Sequence, residues 1–110
     1  MDRRSSWLKG VLDLLVLAAL TEGESYGYAL AARLDESGFG RIKGGTLYPV
    51  LNRLEEAGLV VAEFRAAEKG PGRRYYRLTD QGREVLMEQG TAWMEFDGSV
   101  REVLRKGGVS

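Results

Sequence analysis

The stretch from Lys43 to Gly58 constrains the fold of this chain more than any other. Its apolar residues recur at three- and four-residue spacing, which predicts a helix with one buried stripe. This stripe consists of Leu47, Val50, Leu51 and Leu54. The opposite side carries Thr46, Tyr48, Asn52 and Arg53, whose side chains are of types that can reach base edges in a DNA groove. Gly58 predicts the end of the helix, because glycine readily adopts the left-handed conformation that closes helices.

A basic hairpin is predicted directly after this helix. Val60, Ala62 and Phe64 alternate with more polar residues, which is the period of a half-buried strand. Residues 66–72 are rich in turn formers, and residues 73–78 form the second strand. A helix that leads into a two-stranded basic hairpin is the order of elements in a winged helix-turn-helix, with the helix in the DNA major groove.

The charge of the chain is unevenly distributed. The formal net charge is zero, yet residues 65–78 carry five basic residues against one acidic residue. Arg3, Arg4 and Lys9 outnumber Asp2 at the start of the chain. A neutral protein can therefore present a basic face to phosphates. The alternative is that these arginines merely form a solvated hairpin surface.

Composition excludes several classes of protein. The 110 residues contain no cysteine and no histidine, which excludes thiolate metal sites and histidine-based catalysis. We therefore predict one domain that is not an enzyme and uses no metal or cofactor. The longest apolar run, Leu14 to Leu20, is far shorter than the roughly 20 residues of a membrane span. The N-terminus lacks a secretory cleavage site, so a cytoplasmic location is expected.

Two further helices are predicted before the central stretch. The first begins near Ser5 or Ser6 and runs to about Glu22, where Gly23 ends it. Ser25 is expected to cap the second helix, which closes at residues 37–38. The turn at 39–45 then leads into the central helix, whose start is placed between Lys43 and Thr46 because Pro49 fits near a helix N-terminus.

The apolar patterns of the first and last helices both predict contact with a second chain. The first helix is apolar around nearly its full circumference, so we expect one side to pack in its own domain and the other against a second chain. The alternative is a plain central core helix. The last helix, capped by Thr79, carries two mostly apolar series with seven-residue spacing, which is a coiled-coil seam. These series are Leu86, Trp93 and Val100, and Gln89, Phe96 and Val103.

These predictions give an α+β, mostly α-helical fold, a winged helix-turn-helix with a long C-terminal dimerisation helix. Residues 1–79 form the DNA-binding domain, whose first helix, 1–23, also enters the dimer interface. Residues 80–106 form the dimerisation helix, and residues 107–110 are expected to be a disordered tail. The cheapest partner for the exposed apolar stripe is a second copy of the chain.

With these elements in place, the chain resembles the PadR family of transcriptional regulators, in the short subtype with a single C-terminal helix that includes multidrug-binding members. The resemblance rests on Tyr26-Gly27-Tyr28, on residues 45–60 and on residues 72–82. It implies a homodimer held by the first and last helices, which binds an inverted-repeat operator in double-stranded DNA and represses transcription. It also implies relief of repression by a small molecule.

The resemblance assigns DNA contacts to individual positions. On the recognition helix these are Lys43, Gly45, Thr46, Tyr48, Pro49, Asn52 and Arg53. On the wing they are Lys69, Gly70, Arg73 and Arg74, and Tyr26 and Tyr28 match a position near the backbone. Lys43 departs from the serine or asparagine that often caps this helix in relatives, which favours a phosphate contact there.

The resemblance also implies a ligand site at the dimer centre. In multidrug-binding relatives a tryptophan and its symmetry mate sandwich a flat aromatic compound, and Trp93 stands at that position. Asp97 follows four residues later on the same helical face, and flat aromatic cations suit this pair. The cavity would further be lined by Trp7, Gly10, Leu14 and Phe96. The alternative is that Trp93 is only dimer packing.

A second class of function competes with DNA binding. A winged helix can also serve as a module for protein association, with its basic face against an acidic partner. The neutral net charge and the acidic pair Glu55 and Glu56 keep this alternative open.

Overall fold

The computed structural model describes residues 3–110, so Asp2 lies outside the described part of the chain. The helices are α1 (Arg3–Ala19), α2 (Gly27–Leu34), α3 (Gly44–Glu56) and α4 (Asp80–Lys106). The strands are β1 (Ser25–Tyr26), β2 (Val60–Arg65) and β3 (Arg73–Leu78). Among these residues, no helix combines the length and apolar character that a membrane span requires. The mostly helical α+β winged fold predicted from the sequence is confirmed.

The three strands form one antiparallel sheet in the order β1-β3-β2. In the hairpin, Val60 pairs with Leu78 and the register runs without interruption to Arg65 opposite Arg73. Side chains alternate between the two faces of a strand. Tyr76 and Leu78 of β3 are buried on the inner face. Arg74 shares that face with them, whereas Arg73 and Tyr75 lie on the outer face.

One core joins the helices to the inner face of the sheet. The stripe predicted on α3 is buried as expected. It packs with apolar side chains of α1, α2 and the hairpin, together with the first turns of α4. The other core members are Leu12, Val16, Leu17, Ala19, Leu20, Leu30, Leu34, Ile42, Val60, Tyr76, Leu78 and Leu86.

Two predicted helix caps are wrong. Ser5 and Ser6 lie inside α1 (Arg3–Ala19), which is followed by a 3₁₀ turn at Leu20–Glu22. Ser25 belongs to β1, where it pairs with Tyr76 of the central strand. Pairing across the sheet therefore overrides the local preference of serine for a helix N-terminus.

The boundaries of α3 agree with the prediction. Lys43 is its extended N-cap residue, with no capping hydrogen bond from its side chain. At the other end Gly58 has φ 77°, and its N–H donates to the carbonyl of Glu55 at 3.0 Å. The N–H of Leu59 donates to Leu54 at 2.9 Å, which completes a Schellman closure. The helix therefore turns sharply into β2.

The outer part of the hairpin differs from expectation. Phe64 was predicted on a half-buried face, but it is 64% exposed because β2 extends beyond the core. Thr79 caps α4 as predicted and accepts a hydrogen bond from the N–H of Gly82 at 2.9 Å. Residues 107–109 form a closing turn in which the N–H of Val109 donates to the carbonyl of Leu104 at 3.0 Å.

Candidate nucleic-acid interface

The exposed face of α3 is polar and continuous. The residues predicted to face DNA from this helix are all exposed, as is its N-cap residue Lys43. Among residues 3–110, Asn52 and Arg53 form no side-chain hydrogen bond or ion pair with another residue, so their donors point to solvent. Because the opposite side of α3 is buried, the helix presents these groups on a rigid support.

Tyr48 has a packing role as well as an exposed one. Its ring is 46% exposed, yet it lies directly against Gly27, the first residue of α2. A Cβ atom at Gly27 would collide with the phenol group. Tyr28 is exposed beside this contact and, with Arg41 and Lys43, lines an open groove of about 480 Å³ between α2 and α3. Gly27 thus allows Tyr48 of α3 to pack closely against the start of α2.

Tyr26 and Arg73 meet on the outer face of the sheet. The Arg73 guanidinium lies 4.2 Å from the centre of the Tyr26 ring. That ring packs edge-on against Tyr75, with ring centres 5.3 Å apart. Tyr26 therefore lies in β1 and supports an arginine of the wing. A stacked guanidinium keeps its charge and its N–H groups available to an anion.

Arg74, which follows Arg73 in the wing, is paired with a carboxylate of α3. Nη2 of Arg74 donates to both carboxylate oxygens of Glu55, at 2.8 and 2.7 Å, and this hydrogen bonding raises the pKa of Arg74. Arg74 therefore engages α3, although it was expected to contact DNA. Lys69 and Gly70 are exposed on the loop that joins the strands.

Arg65 is also paired. It donates to Glu24 through two nitrogens at 2.6 and 2.8 Å, and to Glu63 at 3.1 Å. The hydrogen bonds from Arg65 hold the pKa of Glu24 below its ordinary value. The surplus of positive charge counted in residues 65–78 is thus partly neutralised within the fold, and Lys69, Arg73 and Arg77 carry what remains.

The residues predicted to bind a ligand fall into two groups. Leu14 and Trp93 line one apolar groove of about 610 Å³ between α1 and α4. Trp7, Gly10, Phe96 and Asp97 do not line this groove. Trp7 and Phe96 are 65% and 64% exposed, and Asp97 accepts a hydrogen bond from Arg101 at 3.0 Å. A single chain therefore brings only two of the six residues together.

Two features of the surface were missed in the sequence. The ion pair between Arg74 and Glu55 could have been anticipated from strand alternation, because Arg74 shares a face with Tyr76 and Leu78 and so points toward the helices. The contact of Tyr48 with Gly27 had no comparable local signal, since it depends on how α2 crosses α3.

Comparison with known proteins gives the family. The profile of the transcriptional regulator PadR-like family matches residues 16–88. A transcriptional regulator of Mycobacterium tuberculosis is 40% identical over 96 residues, which are 87% of this chain and 85% of the relative.

Solved structures of similar proteins belong to the same family. A PadR-like transcriptional regulator from Bacillus cereus is 35% identical with a TM-score of 0.78, covering 90% of this chain and 96% of that one. A PadR family transcriptional regulator from Eggerthella lenta is 38% identical with a TM-score of 0.80, covering 90% and 86%. The chain therefore belongs to the PadR-like transcriptional regulators, which bind DNA and are not enzymes.

Proposed function

We propose that this protein is a homodimeric repressor that binds an inverted-repeat operator and is released by a planar aromatic compound. The observation that carries the DNA-binding part is the polar face of α3, on which Asn52 and Arg53 are exposed while Leu51 and Leu54 on the other side are buried. A helix of this kind reads bases with the exposed face and holds its orientation with the buried one.

The rest of the DNA surface contributes phosphate contacts. Lys43 and Tyr28 flank the start of α3, and Lys69, Gly70 and Arg73 extend the surface along the wing. Contacts of this type fix the register of a protein on the duplex and make its affinity depend on salt. We also propose a cytoplasmic location, because a regulator of transcription acts where the DNA is.

The dimer is supported by the apolar surface that α1 and α4 leave exposed. Beyond Leu86 the seam of α4 is exposed, and Phe96 and Val103 are 64% and 69% accessible. A contiguous apolar stripe of this length calls for a partner, and a second copy supplies the same stripe by symmetry. A twofold axis would set the two α3 helices about one turn of DNA apart, roughly 34 Å.

The effector would bind where the two copies meet. Trp93 and Leu14 line the same groove within one chain. In the proposed dimer, the second chain would bring its own Trp7, Gly10, Phe96 and Asp97 toward that groove. A flat aromatic cation suits indole faces beside a carboxylate. Such a ligand relieves repression only if it binds the DNA-competent and incompetent dimers with different affinity.

Fluorescence anisotropy over a salt series tests the DNA-binding part. The native chain is titrated into labelled duplex DNA carrying inverted repeats, beside Arg73→Ala and the control Arg105→Ala, which removes an exposed arginine from the end of α4. We expect native affinity to fall with salt and Arg73→Ala to bind more weakly with a shallower salt slope. Equal curves for the two variants would contradict the assignment of the wing.

Tryptophan quenching tests the effector. In a Trp7→Phe background Trp93 is the only tryptophan, and its emission is followed with excitation that tyrosine does not absorb. We expect planar aromatic cations to quench this emission and to lower the affinity of the same protein for DNA. Absence of quenching across a panel of such compounds would leave Trp93 as dimer packing.

A further inference from the structure

We infer that Arg74 is a positioning residue, which ties the wing to the recognition helix through Glu55 and does not itself contact DNA. This inference rests on the proposed DNA-binding function and refines it. It separates the two adjacent arginines of the wing, Arg73 and Arg74, into a residue that meets phosphate and a residue that holds the wing.

The geometry of the pair supports this division. Arg74 lies on the inner face of β3, and one of its nitrogens is within 2.8 Å of both carboxylate oxygens of Glu55. Its guanidinium also lies 6.0 Å from the centre of the buried Tyr76 ring. Arg73, one residue earlier, points to the other face and stacks on Tyr26. Strand alternation therefore directs the two side chains to opposite sides of the sheet.

The position of Glu55 gives the pair a second purpose. Glu55 lies in the last turn of α3, where the helix dipole disfavours a negative charge and favours a positive one. Arg74 brings a positive charge to that end of the helix and neutralises the carboxylate. Without Arg74, Glu55 would present an unpaired negative charge next to Asn52, which lies three residues earlier on the same side of α3.

The tie also acts where the hairpin has little other support. Phe64, the partner of Arg74 across the hairpin, is exposed, and residues 66–71 beyond it are exposed as well. The Glu55 pair thus joins α3 to β3 at the point where the core ends. The angle between the recognition helix and the wing depends on this contact.

A salt series distinguishes positioning from phosphate contact. Each phosphate contact contributes roughly 0.9 to the slope of log affinity against log salt concentration, so losing one contact from each chain of a dimer lowers the slope by about 2. We expect Arg73→Ala to lower the slope by this amount. We expect Arg74→Ala to weaken binding roughly tenfold, because a wing released from Glu55 must be ordered again on binding, while the phosphate contacts and therefore the slope stay unchanged. A slope lowered equally by both variants would overturn the inference.

Reversing the pair provides the rescue. Arg74→Glu alone sets two carboxylates together, whereas Arg74→Glu combined with Glu55→Arg restores an ion pair of opposite polarity. We expect the double variant to recover most of the affinity that Arg74→Glu loses. If the double variant binds as weakly as Arg74→Glu, Arg74 acts on DNA directly and the inference is wrong.

Amide hydrogen exchange of the DNA-free protein separates failure of this inference from failure of the proposed function. We expect Arg74→Ala to accelerate exchange at residues 64–74, and Arg105→Ala to leave it unchanged. Unaltered exchange in Arg74→Ala would contradict the positioning role even if DNA binding is normal. If the native chain binds no DNA, the proposed function fails, while the exchange experiment still decides whether Arg74 holds the wing.

Discussion

The recognition surface and the α1–α4 surface of this chain are exposed in opposite ways. On α3 the stripe of aliphatic side chains is buried, and polar or charged side chains such as Thr46, Asn52 and Arg53 are exposed. The outer half of α4 exposes several large apolar side chains, including Trp93, Phe96 and Val103. The exposed face of α3 suits a charged partner such as DNA, whereas the apolar surface of α4 suits a protein partner that buries it.

The difference arises from what each helix packs against. The short helix α3 packs on the core along its length, so its whole apolar stripe is buried. The 27 residues of α4 extend well past the core, and only Leu86 and Gly82 of this helix are fully buried. The resulting molecule measures 57 × 31 × 21 Å. An apolar stripe on a projecting helix has only another chain to pack against.

The largest effect is expected on the apolar surface. Phe96→Glu should raise the dimer dissociation constant by more than roughly 100-fold, because a buried phenylalanine contributes about 1.5–3 kcal/mol and a symmetric interface loses it twice. Sedimentation velocity over a concentration series measures the change. Arg105→Glu, a matched introduction of an acid on the same helix, should remain dimeric. A native chain that sediments as a monomer would remove the basis of the comparison.

A smaller loss is expected on the polar surface. Arg53→Ala should weaken operator binding by roughly 10-fold to 100-fold, because a good base or phosphate contact of arginine is worth about 1–3 kcal/mol. Its dimerisation should be unchanged, which is the opposite pattern to Phe96→Glu. Anisotropy and sedimentation on the same preparation give both values. Equal losses of dimer and DNA binding in both variants would show that the two surfaces are not separate.

Stability of the polar surface depends on one close contact. Gly27→Ala should lower the free energy of unfolding by about 1–3 kcal/mol, because the added methyl group collides with the Tyr48 ring. The combination of Gly27→Ala with Tyr48→Ala should recover part of this loss. Urea unfolding of the three variants measures it. Additive losses in the double variant would indicate that Tyr48 is not seated on α2.

The hydrogen bonds of Thr79, which link the end of α3 to the start of α4, should contribute less to the free energy of unfolding. The Thr79 hydroxyl donates to the carbonyl of Gly58 at 2.8 Å, at the end of α3, and accepts from Gly82 at the start of α4. Thr79→Ala should cost about 1 kcal/mol, the usual cost of losing an N-cap. Thr79→Ser keeps the hydroxyl and should lie close to the native chain in urea unfolding. Equal destabilisation by serine and alanine would assign the effect to the lost methyl group.

The smallest effect concerns pH. Arg65 holds the pKa of Glu24 below its ordinary value, so this ion pair stabilises the fold at neutral pH, and the contribution is lost as pH falls through the carboxyl range to that lowered pKa. The stability advantage of the native chain over Glu24→Gln should therefore shrink between neutral and acidic pH in urea unfolding. Glu36→Gln, which alters an exposed carboxylate just after α2, should show no such trend.

Local sequence patterns were sufficient to predict α3 and the turn that ends it. The buried stripe, the start at Lys43 and the closure at Gly58 are each determined within a few residues, and all were predicted correctly. The helix-to-hairpin order then gave the winged fold. The cap at Thr79 was equally local.

The errors concern contacts between residues far apart in the chain. Ser25 became part of a strand because β3, about 50 residues later, offers it a partner at Tyr76. The ion pair of Arg74 was not anticipated because its partner Glu55 lies on another element. Phe64 fits the alternation of a half-buried strand, but alternation does not show where the core ends.

In vitro selection from random duplex DNA, with the native chain as bait, tests the central claim most directly. If two copies hold their α3 helices about one turn of DNA apart, the selected sequences should contain an inverted repeat with half-site centres roughly 10 base pairs apart. Selection of an isolated half-site, of direct repeats, or of no sequence above background would contradict the account.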